Sequence, residues 1–175
     1  MKKLIICFLL LLAPGFIFAE LPLGEKPTTL VIKEDLGGRL NGTAWSSEEL
    51  MENVTTIMYV DPDEKDLNAH VEDALKALNL PVGALKSVAV INLAATWKPN
   101  WLIESILEGK QEKFPNTVYV KDLKGTLVSN WSLLDDSYDI LLFDREGKVL
   151  FSKDGELSEE DVKQLVSLVL EHVNQ

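Results

Sequence analysis

The sequence predicts an α/β fold of three layers, a mixed sheet with helices on both faces, preceded by a short strand and helix extension. Three observations carry this reading. Strand-like and helix-like patterns alternate from residue 54 to residue 120, a hairpin pattern follows at 138–151, and the chain closes on an amphipathic helix. A single domain over residues 20–175 is expected, because the chain has no internal repeat, low-complexity tract or long Pro/Gly/Ser linker.

The first element is an export leader over residues 1–19. Lys2 and Lys3 form a charged start, residues 4–12 are an apolar run, and Ala13-Pro14-Gly15-Phe16-Ile17-Phe18-Ala19 leads to a cleavage site before Glu20. Ile17 is larger than the residue preferred three positions before a cut, so a retained anchor stays open as the alternative. Cleavage would remove Cys7, the only cysteine of the 175-residue chain. No disulfide is then possible, and stability has to come from packing.

After the leader, residues 29–33 form a short β-branched run. Ser46-Ser47-Glu48-Glu49 ahead of Leu50 has capping-box form and predicts a short helix. Residues 54–60 are a β-rich run stopped by Asp61-Pro62, and Leu67, Val71, Leu75 and Leu78 then recur at helical spacing. Residues 88–93 are almost continuously apolar, as in a central strand covered on both faces. Pro99 suits the first turn of the next helix, whose buried stripe is expected to be Leu102, Ile103, Ile106 and Leu107. Residues 117–120 read as a strand. Residues 138–143, a turn at Asp144-Arg145-Glu146-Gly147 and residues 148–151 read as a hairpin. In the last helix Ser158 and Asp161 form a second capping box, and Leu165, Val166, Val169 and Val173 continue its apolar stripe.

Acids outnumber bases 28 to 17, a formal net charge of −11 that loss of Lys2 and Lys3 would make more negative. Nucleic acid is therefore not an expected partner, since phosphate binding draws on a basic face. No second apolar run is long enough to span a bilayer, so no stable membrane span is expected after leader cleavage.

The hairpin segment Ile140-Leu141-Leu142-Phe143-Asp144-Arg145-Glu146-Gly147-Lys148-Val149 resembles the apolar strand, Asp-x-x-Gly, apolar strand ending of thioredoxin-like and peroxiredoxin-like proteins. Lys121-Asp122-Leu123-Lys124-Gly125 resembles the earlier Asp-x-x-Gly of the latter group. Trp45-Ser46-Ser47-Glu48-Glu49-Leu50, Ala95-Thr96-Trp97-Lys98, Ser129-Asn130-Trp131 and Lys153-Asp154-Gly155-Glu156-Leu157-Ser158 resemble the YtfJ family of small periplasmic bacterial proteins. That resemblance implies a thioredoxin-like fold, a periplasmic address and a role that the family does not define.

In redox-active thioredoxin-like proteins a reactive cysteine follows the first central strand. Here that place holds Asp61-Pro62-Asp63-Glu64, and carboxylates cannot perform thiol exchange, which needs a sulfur nucleophile. A second family feature, a cis-proline ahead of the hairpin, falls near Tyr138, and no proline follows Pro115. No catalytic residue, cofactor or metal is expected from these motifs.

Asp61, Asp63, Glu64 and Asp66 form the densest acidic group. Helix-start electrostatics is one reading; a divalent cation on a metal-dependent, non-thiol enzyme is the other, although Lys65 and Asp66 depart from calcium-loop spacing. His70 and His172 lack a second ligand at metal-binding spacing and are expected at the surface. Trp97 and Trp101 flank the start of a helix, where packing and partner contact are both open, whereas Trp45 and Trp131 are expected to pack. Together these readings outline a non-catalytic module whose candidate binding surface comprises Asp61, Asp63, Glu64, Trp97 and Tyr138, meeting an envelope protein, a peptide or a small ligand.

Overall fold

The computed structural model describes residues 21–175, and the predicted leader lies outside them. Strand β1 (Val31–Ile32) pairs with β3 (Trp45–Ser46) in a small antiparallel ribbon. The main sheet has six strands: β2 (Gly37–Arg39), β4 (Thr55–Val60), β5 (Lys86–Asn92), β6 (Thr117–Asp122), β7 (Tyr138–Phe143) and β8 (Val149–Lys153). Their order across the sheet is β2-β6-β5-β4-β7-β8. The helices are α1 (Ala69–Ala77), α2 (Asn100–Lys113), α3 (Thr126–Trp131) and α4 (Glu159–Val173).

Connection handedness explains the layers. Strands β4, β5 and β6 are parallel neighbours laid down in one direction, so two right-handed crossovers place α1 and α2 on the same face. Strand β7 returns antiparallel to β4, and the hairpin to β8 delivers α4 to that face as well. Val71 of α1, Ile103 and Leu107 of α2, and Leu165 and Val169 of α4 share one core with Val60, Ile91, Ile140 and Leu142. On the opposite face Ile57, Val90, Leu141 and Phe143 meet Leu127 and Trp131 of α3 and Leu30, Ile32, Trp45 and Leu50 of the N-terminal extension. The split follows strand alternation, in which successive side chains point to opposite faces.

Trp45 and Trp131 are 1% and 2% exposed, and the Trp131 indole N–H donates to the carbonyl of Thr28 at 2.8 Å. Both capping boxes form, Ser46 with Glu49 and Ser158 with Asp161. The first of them starts only one turn of 3₁₀-helix, Ser47–Leu50, rather than an α-helix. The α2 stripe is also narrower than its sequence suggests. Ile103 and Leu107 are buried, but Leu102 and Ile106 are 38% and 49% exposed because only one line of α2 rests on the sheet.

The two Asp-x-x-Gly motifs are turn devices. Asp144 Oδ1 accepts the amides of Glu146 at 2.8 Å and Lys148 at 2.9 Å, which closes the hairpin. Asp122, fully buried, accepts the amides of Thr126 at 2.8 Å and Leu127 at 3.0 Å and so begins α3. Strand β2 depends on glycine. A Cβ on Gly37, whose φ is +117°, would lie 2.0 Å from the carbonyl oxygen of Lys121 on β6.

Gly37→Ala is therefore expected to destabilise the chain by about 3 kcal/mol or more, combining a strained backbone with a backbone clash. Gly155→Ala, at φ +74° with no atom within 4 Å of the added Cβ, is expected to cost only about 1–2 kcal/mol. Urea unfolding midpoints read the difference, and equal midpoints would mean that β2 is not docked tightly on β6.

Candidate functional site

Asp61 follows directly on β4, at the end of the sheet where β4 and β5 finish and β7 begins. Its amide donates to the carbonyl of Ser137 at 2.9 Å, which ties this loop to the one ahead of β7. Its carboxylate accepts the amide of Asp63 at 2.7 Å, making a tight side-chain turn. Asp61 is only 4% exposed, and burial pushes its carboxyl above the ordinary value.

Asp63 points outward and is held by the loop after β5. It accepts the ammonium of Lys98, and the Thr96 hydroxyl at 2.9 Å; these contacts, Lys98 first, hold its carboxyl below the usual carboxylate range. Between Thr96 and Lys98 stands Trp97, 86% exposed, and Trp101 in the first turn of α2 is 69% exposed. Glu64 is exposed beside Asp63. Tyr138 is 1% exposed and donates its hydroxyl to Glu72 Oε1 at 3.2 Å; burial and then Glu72 raise its phenol well above the ordinary value.

The five predicted surface residues thus converge on one end of the sheet, but only Asp63, Glu64 and Trp97 face outward. Nor do the acids sit at a helix start. Helix α1 begins at Ala69, after a series of turns, and its preceding residue Asn68 is fully buried. Asn68 donates from Nδ2 to the carbonyl of Gly155 at 2.8 Å and accepts the amide of Leu157 at 2.9 Å, while His70 donates to the carbonyl of Leu157 at 2.9 Å. The Asp61–Asp63 pair makes a turn and an ion pair instead, and a cation bound there would have to displace Lys98. Among the described residues no group of three or more His, Cys, Asp or Glu side chains is placed to hold a metal ion.

Beside this loop the helix-bearing face opens into a cleft of about 580 Å³ between α1 and α2. Met58, Val60, Ala89 and Ile91 form its floor, Leu75 and Ile106 stand on its walls, and Tyr138, Pro62 and Lys98 close the end nearest Asp63. Sequence reasoning missed it. Its traces were Ile106, apolar yet off the packed line of α2, and Val82, 87% exposed in an apolar loop at the cleft.

A family model described as a bacterial protein of unknown function, YtfJ_HI0045, matches residues 26–172. The chain belongs to this family. Within it, YtfJ of Escherichia coli K12, described as uncharacterized, is 26% identical over 128 residues, covering 71% of this chain and 70% of the relative. An uncharacterized protein of Haemophilus influenzae Rd is 29% identical over 129 residues, again 71% and 70%. Among solved structures, the exposed lipoprotein thioredoxin Etrx1 of Streptococcus pneumoniae TIGR4 superposes with a TM-score of 0.58 at 11% identity, over 81% of this chain and 99% of that one. This YtfJ-family chain therefore has a thioredoxin-like fold, and its described residues contain no cysteine.

Below the surface of the same sheet end lies an acid that the sequence did not single out. Asp139 sits opposite Tyr59 in the β4–β7 register and is 1% exposed. Oδ1 accepts the amide of Leu134 at 3.3 Å, and Oδ2 has no partner among the described residues. Burial, with Asp154 adding to it, pushes its carboxyl up to about 7. From about pH 4, where an unfolded Asp releases its proton, up to about pH 7 the native state keeps one that the unfolded chain has lost. Stability contributed by this group falls as pH rises through that window and is lowest above it. Asp139→Asn is neutral throughout, so its Tm relative to the parent is expected to climb between about pH 4 and about pH 7 and to level off above that. A gain of roughly 2–4 °C per kcal/mol follows at the alkaline end. A flat difference would show that Asp139 does not titrate there.

Proposed function

We propose that this YtfJ-family chain is an exported, non-catalytic binding module of the periplasm, built on a thioredoxin scaffold whose thiol place has become a fixed polar turn. The observation that carries the reading is the state of that turn. Asp61 is committed to the amide of Asp63, and Asp63 to Thr96 and Lys98, so two of the loop's acids serve the loop itself, and the place of the thiol holds no cysteine. Immediately beside it stand an exposed indole, Trp97, and an open apolar cleft, the two features by which binding surfaces commonly differ from ordinary surface. The Lys2-Lys3 start, the apolar run and the Ala19-Glu20 junction support export. No helix among the described residues is long and apolar enough to cross a membrane.

Two measurements test the proposal. Osmotic-shock fractionation is expected to release a processed chain beginning at Glu20; a full-length chain kept in the membrane, with Cys7 open to a maleimide, would contradict export. A photo-crosslinking amino acid at Trp97 is expected to give discrete adducts in living cells. The same group at Leu170 on α4, 39% exposed, is expected to give none. Equal labelling at both positions, or none at Trp97, would remove the binding surface.

A further inference from the structure

We infer that the cleft between α1 and α2 binds a long-chain fatty acid, with its hydrocarbon chain on the sheet floor and its carboxylate at the Phe114 end; this rests on reading the cleft as a binding site. Its volume of about 580 Å³ falls within the size range of small-molecule sites, about 300–1,000 Å³. Its body suits an apolar guest. Met58, Ala89 and Ile91 line the floor and Leu75, Ile106 and Leu107 the walls, and the lining carboxylate of Glu72 is engaged by the Tyr138 hydroxyl and by Lys76. A polar guest would give up its hydration against these side chains for little return.

The charge is arranged unevenly along the cleft. Near Asp63, the cleft-lining Lys98 and Lys65 are paired with Asp63 and Asp66. At the other end two lysines flank one aromatic ring, and a third lines the cleft. The ammonium groups of Lys76 and Lys113 lie 5.4 and 5.2 Å from the centroid of Phe114, and Lys110, half-buried, lines the cleft beside it. Lys76 is shared loosely with Glu72 and Asp73 at 3.8 and 3.5 Å, and Lys110 forms no ion pair among the described residues. In a chain of formal net charge −11, a cationic end on an apolar cleft is complementary to a single anionic head on an apolar tail. A carboxylate there would meet Lys110 without breaking an existing pair.

The probe is cis-parinaric acid, a fluorescent long-chain fatty acid, titrated into the purified and delipidated chain with oleate as competitor. Saturable one-to-one binding, displaced by oleate, is expected. Ile106→Asp puts a charge on the cleft wall at a position 49% exposed, where the fold can accept it, and is expected to abolish binding. Lys110→Glu is expected to weaken carboxylate binding at least about tenfold, the scale of a lost charge-assisted contact, while Lys110→Arg retains it and the affinity for oleyl alcohol is unchanged by either. Absence of saturable binding, or binding indifferent to both Ile106→Asp and Lys110→Glu, overturns the inference. Failure here with intact Trp97 crosslinks would reject the fatty acid alone; parinarate binding without Trp97 crosslinks would reject the partner surface alone.

Discussion

The carboxylate of Asp122 joins the two halves of this fold. It ends β6, the last of three parallel strands, and it is fully buried. Three amides, from Lys124, Thr126 and Leu127, and the hydroxyl of Tyr59 at 3.3 Å satisfy it. A buried carboxylate without such donors would carry a heavy desolvation cost, so the chain turns around it. That turn starts α3, and α3 carries the backbone from the helix-bearing face to the opposite one. There Leu127 and Trp131 seal the sheet before β7 pairs with β4. The phenol of Tyr59, raised by burial and by this acid, stays protonated and remains a donor.

The same end of the sheet keeps a thioredoxin-like backbone while its described residues carry no cysteine. Loops at the strand ends of α/β sheets are where ligands and reactive groups gather, and the loop after β4 is the place of the thiol in redox-active thioredoxin-like proteins. In this chain its side chains serve the loop itself. Asp61 folds it, Asp63 pins it to Thr96 and Lys98, and the Asp61 amide fastens it to Ser137. What faces outward is an indole and, around the corner, apolar wall.

The cleft owes its existence to two helices that share a face without filling it. Right-handed crossovers place α1 and α2 side by side, and each presents a narrow apolar line to the sheet, Val71 on one and Ile103 with Leu107 on the other. Leu75 and Ile106 line the space between them without filling it. The lysines in the last turns of both helices complement the helix dipoles and, with Phe114 between them, concentrate positive charge at one end. The same residues thus complement both helix ends and form the cationic end of the cleft.

Local pattern alone determined the alternation of strands and helices, both capping boxes and the closing hairpin, because each depends on neighbours a few residues away; the residue list itself showed that no cysteine follows Cys7, and the size and apolarity of Trp45 and Trp131 pointed to their packing. Strand β2 was not legible, since Gly37 and Gly38 have no strand preference and fit there only because their bare Cα atoms leave room for the carbonyls of Lys121 and Thr43. Helix α3 was hidden by its six-residue length and by a cap supplied from Asp122 before it. Of the predicted surface, tertiary structure kept Asp63, Glu64 and Trp97 outside and buried Asp61 and Tyr138, since β7 lies in the interior of the sheet and Ser137 covers Asp61. The cleft and its uneven charge were decided by the distance between two helices, a quantity that no single segment of sequence encodes.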